Sequence, residues 1–448
     1  MHKKLFGTDG IRGVAGRYPL DSKTIIRTAQ AAALELKNTT PSRLVLLGRD
    51  TRRSGKNISQ ALIKGFLSCG IDAWDLGVIP TPGVAWLARK YPVMAGVVIS
   101  ASHNPYRDNG IKFFSHNGTK LSDSVESLIE QRIVSDKPLA AGLSGGKTKT
   151  LFTPAEYYEN MLRLSAARSG LAGLKIVLDC ANGACSNIAP SLFSGLGARV
   201  WVINASPSGV NINLNSGSLH PEKLSAEVRR RKADIGIAFD GDGDRAMFVD
   251  ETGVVRDGDY ILALLALHFK RLGKLRKNTL VTTVMANLGL VRCMAASGIK
   301  LVTTSVGDRY VFEGMLSSGA VLGGEQSGHL IFSELLPTGD GMQSALQVLS
   351  VMKETGQKLS KLTSVMKKYP QILINTFVDA KIPLEKLPET SRSIKAFEKK
   401  LGGEGRVLVR YSGTENLIRV MIEGRDKKEI KSMARAISDT AKKEIAGR

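Results

Sequence analysis

Short apolar runs alternate with longer segments of helical periodicity through about the first 365 residues. An apolar run of this length predicts a buried strand, and a helical segment between two runs predicts a β-α unit. This part of the chain is therefore predicted to be α/β. The predicted strands are Arg43–Gly48, Ala95–Ala101, Lys175–Asp179, Arg199–Asn204, Ile235–Asp240, Thr279–Met285 and Leu301–Val306.

The last part of the chain has a different pattern. A strand and a helix over Glu385–Leu401 are followed by strands at Arg406–Arg410 and Leu417–Glu423 and by a charged final helix. This order predicts a smaller α+β domain. We therefore expect three similar α/β domains and a smaller C-terminal α+β domain, spanning residues 1–150, 151–252, 253–366 and 367–448.

The charge of the chain narrows the choice of ligand. The 448 residues carry 63 Lys and Arg against 41 Asp and Glu, a net charge of +22. This balance favours anionic ligands such as phosphorylated metabolites or nucleic acid. Aromatic residues make up only 6%, and the chain has no recognisable nucleic-acid-binding module. We expect a small phosphorylated substrate and no nucleic acid.

Two features predict a cytoplasmic protein. The four cysteines lack paired zinc-site spacing, and free thiols suit a reducing compartment. The N-terminus lacks the apolar core of a signal peptide, and the longest apolar helix candidate, Tyr260–Phe269, is too short to cross a bilayer. No membrane association is expected.

The first chemically distinctive segment is SASHNP (residues 100–105), which follows a predicted strand. Ser102 in this segment is well placed to meet a ligand, because loops after strands commonly carry functional residues. A plain Ser/Asn/Pro turn is an equal alternative on these residues alone.

The second segment is DGDGDR (residues 240–245). Its carboxylates, Asp240, Asp242 and Asp244, repel one another unless a cation binds them, and their oxygens suit Mg²⁺ or Ca²⁺. An EF-hand needs glycine at the sixth position and flanking helices, whereas Arg245 occupies that position and both flanks are strand-like. The segment predicts a metal loop, against the alternative of a polar turn.

Two further loops predict substrate contacts. GGEQSGH (residues 323–329) offers Glu325 and Ser327 to sugar hydroxyls. RYSGTEN (residues 410–416) joins two predicted strands and offers hydroxyls, backbone N–H groups and arginines to a phosphate. Either could be an ordinary hairpin loop. The residues of the predicted phosphate cradle are Arg410, Ser412, Gly413, Thr414 and Arg419.

Two glycine-containing segments supply cations. FGTDGIRG (residues 6–13) contains Arg12, and NGIK (residues 109–112) places Lys112 shortly after Ser102. Both side chains could stabilise negative charge near the serine.

Taken together, GTDGIRG, SASHNP, DGDGDR, GEQSGH and RYSGTEN occur in the order found in the α-D-phosphohexomutase family, and the chain resembles that family over its whole length. The resemblance implies four domains around a central cleft. It also implies conversion of glucosamine 6-phosphate to glucosamine 1-phosphate, toward UDP-N-acetylglucosamine and the cell wall. Family members acting on mannose or glucose phosphates remain the alternative; they typically carry methionine at the position of Gln326.

The resemblance also implies residue roles. Phosphorylated Ser102 would carry the phosphoryl group, with Mg²⁺ held by the phosphoserine and the three aspartates, and glucosamine 1,6-bisphosphate would be the intermediate or activator. Arg245 would orient phosphate. A homodimer, and phosphorylation of Ser102 by a kinase or by the protein itself, are further expectations. The candidates for proton transfer or charge stabilisation are Lys112, His103, Arg12 and His329.

The chain departs from the family pattern at one position. The family usually has proline where this chain has Asn416, which bears on the stiffness of the phosphate loop. The rest of the predicted cradle is retained.

Overall fold

The computed structural model describes residues 5–7, 9–135, 137, 139, 145–151, 153–166, 170–412 and 416–447. The chain divides into two compact units, one made of residues 1–285 and 298–365 and the other of residues 286–297 and 366–448. Among the helices of the described residues, none is both long and apolar enough to cross a membrane.

Helices and strands alternate along most of the chain. The helices are α1 (Ser22–Leu36), α2 (Gly55–Leu67), α3 (Thr81–Lys90), α4 (Asp123–Val134), α5 (Pro154–Ser165), α6 (Ala189–Gly195), α7 (Glu222–Arg231), α8 (Gly258–Arg271), α9 (Leu288–Ala296), α10 (Asp308–Ser318), α11 (Gly341–Thr355), α12 (Leu359–Thr363), α13 (Pro388–Leu401) and α14 (Lys427–Ala446). The strands are β1 (Phe6–Gly7), β2 (Gly10–Val14), β3 (Leu44–Arg49), β4 (Asp72–Val78), β5 (Ala95–Ile99), β6 (Asp108–Ser115), β7 (Thr148–Thr150), β8 (Lys175–Asp179), β9 (Arg199–Ile203), β10 (Ile235–Phe239), β11 (Ala246–Asp250), β12 (Val255–Arg256), β13 (Thr279–Thr283), β14 (Lys300–Thr304), β15 (Leu322–Gly324), β16 (Leu330–Phe332), β17 (Gln371–Phe377), β18 (Arg406–Tyr411) and β19 (Leu417–Glu423).

The first sheet has the strand order β1-β2-β6-β5-β3-β4-β7, with a parallel centre and an antiparallel edge. Alternate side chains such as Val45, Leu47 and Val97 enter one core, which α1, α2 and α4 cover. On the other face α3 packs closely, since Cβ atoms at Gly48 and Gly96 would meet Val84. The sheet is thus buried on both faces, as its continuous apolar strands require.

The second and third sheets have the orders β12-β11-β10-β8-β9 and β14-β13-β15-β16. In both, parallel strands are followed by an antiparallel hairpin. The β10–β11 pairing ends at Phe239 and Ala246, and the β15–β16 pairing ends at Gly324 and Leu330. The two hairpin connections are therefore residues 240–245 and 325–329, which are the predicted metal and sugar loops.

The second compact unit contains the sheet β17-β19-β18, which is antiparallel throughout. Helix α14 covers one face with Ile430, Met433 and Ile437. Its start is fixed by Asp426, whose carboxylate accepts backbone N–H groups of the first turn. Helix α9 belongs to this unit: the Asn287 side chain at its N-terminus donates to Glu423 at 2.8 Å.

The α/β class with a smaller C-terminal α+β part is confirmed, and the differences lie in element ends. The helix predicted over Glu385–Leu401 begins at Pro388, because proline suits the first helical turn and residues 384–386 form a separate 3₁₀ turn. The strand predicted to reach Met285 ends at Thr283. The sequence predicts none of β1, β2, β4, β6, β7, β12, β15 and β16, because these strands are short or mix polar and glycine residues with apolar ones.

We expect Leu47→Ala to destabilise the first unit by about 2–5 kcal/mol, because Leu47 is fully buried in the core beneath α1, α2 and α4 and its truncation leaves a cavity. Thermal unfolding measured by calorimetry checks this. The control is Leu164→Ala, at a side chain that is 88% exposed, which should leave the midpoint unchanged. Equal midpoints for both variants would contradict this packing.

Candidate active site

Three carboxylates converge in the β10–β11 connection. One oxygen from each of Asp240, Asp242 and Asp244 lies within 4.8 Å of the others, and all three residues are buried. The turn needs Gly243, whose φ of +73° is in the left-handed region. Burial and the neighbouring carboxylates of Asp244 and Asp242 raise the pKa of Asp240. Such a cluster is stabilised by a cation.

The donor set fits a hard divalent ion. Across the part of the chain that the structure describes, Oδ1 of Asp242 and Oδ1 of Asp244 have no hydrogen-bond partner although both are buried. Buried carboxylate oxygens without partners are costly unless they ligate a metal. Oxygen ligands alone, and no sulfur or imidazole, indicate Mg²⁺ or Ca²⁺ rather than zinc.

Ser102 lies directly against this cluster. Its hydroxyl donates to Asp240 Oδ2 at 2.5 Å. The two loops also touch through their backbones, since a Cβ on Gly241 would lie 2.6 Å from the Ser102 carbonyl oxygen. Ser102 is only 1% exposed, since the metal loop packs against it. Its φ of +52° is unusual for a residue with a side chain.

Lys112 supplies the central positive charge. It extends from β6, is 1% exposed, and its Nζ lies 2.9 Å from Asp9 and 3.0 Å from Asp242. Burial disfavours the ammonium, but Asp242 and Asp9 outweigh burial and raise the pKa of Lys112. Lys112 is therefore a permanent cation at neutral pH.

Two arginines flank the same cluster. Arg12 forms an ion pair with Asp9, and its Nη1 is 3.5 Å from the Ala101 carbonyl oxygen. Arg245 follows the metal loop, and its Nε is 3.8 Å from Asp244 Oδ1. Burial opposes its charge, but Asp244 and other carboxylates raise the pKa of Arg245 further. The cations predicted from separate motifs thus lie in one place.

His103 has the opposite electrostatic character. Its Nδ1 is 3.4 Å from the Ser102 hydroxyl oxygen. Burial, together with Arg245 and Arg12, lowers the pKa of His103 to about 4. The ring is neutral at pH 7, so His103 can act as a general base but not as a general acid.

His329 ends the sugar loop and is also buried. Its Nε2 accepts the backbone N–H of Gly339 at 3.0 Å, which puts the proton of the neutral ring on Nδ1, 3.7 Å from Asp244. If Nε2 were protonated, it would no longer accept the Gly339 N–H and would instead donate to Asp308 Oδ2, 3.3 Å away. Burial lowers the pKa of His329, but Asp244 and Asp308 outweigh it and raise the pKa.

The sugar loop is held from two sides. Glu325 Oε1 accepts the Gly307 N–H at 3.1 Å, and Ser327 Oγ is 3.5 Å from Glu325 Oε2. The Gln326 amide donates to Asp259 Oδ2 on α8 at 3.1 Å. Glu325 and Ser327 therefore lie on the same side of the turn, whereas the Gln326 side chain is directed to α8.

Several residues that contact the site were not predicted from the sequence. Thr81 at the start of α3 donates to Asp242 Oδ2 at 2.7 Å, and Lys120 joins Asp9 to Asp308, the latter at 2.7 Å. Asp9 stands in the FGTDGIRG segment, but its partners Lys112 and Lys120 come from distant parts of the chain. Thr81 carries no motif at all.

The predicted phosphate cradle lies in the second compact unit. Arg410 and Arg419 are directly paired across β18 and β19, and Arg419 Nη2 is 3.4 Å from Ser412 Oγ. Burial and the facing Arg419 lower the pKa of Arg410. Like charges on facing strand positions destabilise a sheet, so an anion between them would be stabilising. Gly413 and Thr414 lie outside the described residues.

Two neighbours complete the described part of this loop. Lys381, missed from the sequence, donates to the Ser412 carbonyl at 2.7 Å. Asn416 accepts the Val378 N–H through its carbonyl oxygen at 3.0 Å. A proline at this position keeps the same acceptor, so the departure from the family pattern preserves this contact.

The N-terminus of helix α11 forms a hydrogen bond with the metal loop. The Gly341 N–H donates to the Gly243 carbonyl at 3.0 Å. The N-cap of this helix is Asp340, which accepts the Tyr158 hydroxyl at 2.5 Å. Burial raises the pKa of Asp340 to about 6.

The chain matches sequence profiles of one family along nearly its whole length. These are described as phosphoglucomutase/phosphomannomutase alpha/beta/alpha domains I, II and III, over residues 3–139, 155–253 and 257–369, and C-terminal domain, over residues 360–440.

Full-length relatives and a solved structure agree with these matches. The chain is 47% identical to a phosphoglucosamine mutase of Geobacter metallireducens, covering 100% of both chains, and 49% identical to one of Desulforamulus reducens, covering 96% of this chain and 97% of the relative. A phosphoglucomutase/phosphomannomutase family protein of Burkholderia thailandensis has the same fold, with a TM-score of 0.82 at 23% identity over 98% of this chain and 97% of the other.

We expect Asp340→Asn to gain stability relative to the parent as the pH rises from about 4 to about 6. The Asp340 carboxyl has a pKa of 3.8 in the unfolded chain and a pKa of about 6 in the folded protein. Ionisation therefore lowers the free energy of unfolding of the parent by about 3 kcal/mol as the pH rises through this range, and Asp340→Asn is not affected. Thermal midpoints between pH 4.5 and 8 measure the difference.

The matched control is Asp21→Asn at the N-cap of α1. Hydrogen bonds from Thr24 outweigh burial and lower the pKa of Asp21, so this variant should lose stability relative to the parent above about pH 4. If the difference in thermal midpoint between Asp340→Asn and the parent does not change with pH, the raised pKa of Asp340 is contradicted.

Proposed function

Because the chain belongs to the phosphoglucomutase/phosphomannomutase family, we propose that it is a phosphoglucosamine mutase, which interconverts glucosamine 6-phosphate and glucosamine 1-phosphate. What carries the proposal is the Ser102 hydroxyl, set 2.5 Å from Asp240, one of three buried carboxylates. In the described part of the chain, the other two each have a buried oxygen without a hydrogen-bond partner. This is the arrangement needed by a serine that receives and returns a phosphoryl group. The product would feed UDP-N-acetylglucosamine and cell-wall synthesis.

The metal of this site is proposed to be Mg²⁺. Asp240, Asp242 and Asp244 would hold it, together with an oxygen of phosphorylated Ser102. When bound, the ion supplies neutralisation of the phosphoryl oxygens. Thr81 and Lys112 orient the Asp242 carboxylate by donating to its Oδ2.

The reaction is a pair of phosphoryl transfers through one serine. In the first, the P–O bond of phospho-Ser102 breaks as the sugar O1 bonds to phosphorus; O1 loses its proton and Ser102 Oγ regains one. The product is glucosamine 1,6-bisphosphate. In the second, the bisphosphate has turned, and the O6–P bond breaks as Ser102 Oγ bonds to phosphorus. Ser102 Oγ loses its proton and O6 gains one, which leaves glucosamine 1-phosphate. Phosphorus, charge and protons balance over the cycle.

The side chains around Ser102 divide the remaining tasks. Lys112 and Arg245 stay cationic and stabilise charge on the transferring phosphoryl oxygens, as positioned cations do in phosphoryl transfer. Arg12 is a third candidate for this role. His103, neutral at pH 7, is a candidate for accepting a proton, and His329, whose pKa is raised, is a candidate for donating one.

Substrate orientation needs contacts that survive the turn of the sugar. Glu325 and Ser327 are proposed to bind the sugar hydroxyls in either orientation. The phosphate that is not reacting would bind between Arg410 and Arg419, with Ser412 and the residues Gly413 and Thr414. An arginine fork is the preferred partner of a phosphate.

Three further expectations stay predictions. The protein would work in the cytoplasm, would form a homodimer, and would receive its first phosphate from a kinase or by autophosphorylation.

We expect Ser102→Ala to lower turnover by about 10⁴-fold or more while the fold persists, because the phosphoryl carrier is lost. Intact mass of the purified parent, before and after incubation with glucosamine 6-phosphate, should show one phosphate that the substrate removes. Peptide mapping should locate that phosphate at Ser102. Near-normal turnover of Ser102→Ala would remove the serine from this role.

The same assay separates the substrates. Turnover of the parent on glucosamine 6-phosphate, mannose 6-phosphate and glucose 6-phosphate should be fastest on the amino sugar. A clear preference for either neutral sugar would overturn the proposed substrate and leave the carrier role of Ser102 intact.

We expect Arg410→Ala to raise KM by roughly 10- to 100-fold, because a charge-assisted bond to phosphate is lost. Arg392→Ala is the control, since Arg392 lies in the same compact unit, is exposed and pairs with Glu389. Steady-state kinetics with glucosamine 6-phosphate measures both. An unchanged KM for Arg410→Ala would contradict the phosphate assignment.

A further inference from the structure

We propose that Arg52, supported by Asp50, is a positioning residue that holds Ser102 in the conformation required for phosphoryl transfer. The inference rests on the proposed carrier function of Ser102. Within the described part of the chain, neither Asp50 nor Arg52 forms a hydrogen bond with the metal loop carboxylates or the sugar loop. Both side chains are fully buried beneath the Ser102 loop.

The guanidinium of Arg52 uses all five of its N–H donors. Nε donates to Asp50 Oδ2 at 2.8 Å. The other four N–H groups all reach backbone carbonyl oxygens of the Ser102 loop and its exit. The acceptors are Ser102 at 2.9 Å, Asn104 at 2.8 Å and Asp108 at 3.0 Å, together with Pro105.

A second set of contacts fixes the peptide group on the other side of Ser102. Asp50 Oδ2 accepts the Ser100 hydroxyl at 2.6 Å, and the Ser100 oxygen accepts the Ser102 backbone N–H at 2.9 Å. Both backbone polar groups of Ser102 are thus held by the Asp50–Arg52 pair, the carbonyl by Arg52 and the N–H through Ser100. Asn213 adds a donor to the Ser102 carbonyl at 2.8 Å.

The backbone of Ser102 explains why such a device is needed. Its φ of +52° lies in the left-handed region, which a residue with a Cβ adopts at a cost. Strained backbone at a functional site persists only where the surroundings over-determine it. Released from these bonds, Ser102 would relax to negative φ, and its hydroxyl would leave the position 2.5 Å from Asp240.

Lysine cannot replace Arg52 in this role. A lysine ammonium has three donors on a single nitrogen, whereas Arg52 serves five acceptors spread around a planar fork. Arg52→Lys therefore preserves the charge opposite Asp50 while it releases at least two carbonyl groups of the loop. The variant separates positioning from charge.

The experiment compares phosphorylated parent, Arg52→Lys and the control Arg49→Lys. Arg49 ends strand β3, pairs with Asp75 at 2.6 Å and does not contact the Ser102 loop by hydrogen bonds. Rapid-quench kinetics measures transfer from phospho-Ser102 to glucosamine 6-phosphate per phosphorylated subunit. Steady-state kinetics gives KM, and thermal unfolding gives the folded fraction.

We expect transfer to be about 100-fold slower in Arg52→Lys, the loss that a misplaced reacting group causes. KM should stay within about threefold of the parent, because the sugar and phosphate contacts are untouched. The ³¹P resonance of phospho-Ser102 should shift or broaden in Arg52→Lys alone. Parent-like transfer and resonance in folded Arg52→Lys, or equal slowing in Arg49→Lys, would overturn the proposal.

If Arg52→Lys does not fold, the variant Ser100→Ala tests the proposal instead. It removes one hydroxyl from the link between Asp50 and the Ser102 N–H, and we expect transfer to slow by about 10-fold with KM unchanged. A parent-like transfer rate in Ser100→Ala would then overturn the proposal. Failure of the carrier function itself is distinguishable, because it would appear as turnover by Ser102→Ala.

Discussion

The first compact unit is organised around a cluster of like charges that the fold must neutralise. Three carboxylates lie within 4.8 Å of one another at sites that exclude water. In such surroundings their repulsion is far stronger than in water. Lys112 and Arg245 offset part of it, and the oxygens left without partners mark where a cation would complete the balance.

This constraint explains the charge network beyond the metal loop. Lys112 contacts both Asp242 and Asp9, and Asp9 also contacts Lys120, which pairs with Asp308. Each of the two lysines contacts at least two carboxylates, and Asp9 contacts both lysines. Deletion of one member would therefore leave an uncompensated buried charge, which costs more than a surface ion pair contributes.

In the first compact unit, three loops that carry chemistry follow strands of the parallel part of a sheet. Ser102 comes after β5, the metal loop after β10 and the sugar loop after β15. Loops at the carboxyl ends of such strands can vary in sequence without disturbing the packed sheet. The rigid sheets position the loops, while buried side chains such as Arg52 hold the loop backbone in strained conformations that its own residues do not favour.

The sequence alone determined the fold class and the chemical groups of the site. Apolar runs and turn residues are local signals, so β3, β5, β8, β10 and β13, together with the loops after β5 and β10, could be predicted. The five ordered motifs were enough to indicate Ser102, the three aspartates, Glu325 and Arg410. Strands such as β6, whose side chains include the buried cation Lys112, lack a strong apolar run and were missed.

Only the tertiary structure decided how those groups act. Thr81, Asp9, Arg52 and Asp308 acquire their roles from partners that lie far away in the chain, and no local pattern records such a pairing. The same holds for the neutral ring of His103 and the permanent charge of Lys112. Burial and neighbouring charges set both pKa values, and these exist only once the chain has folded.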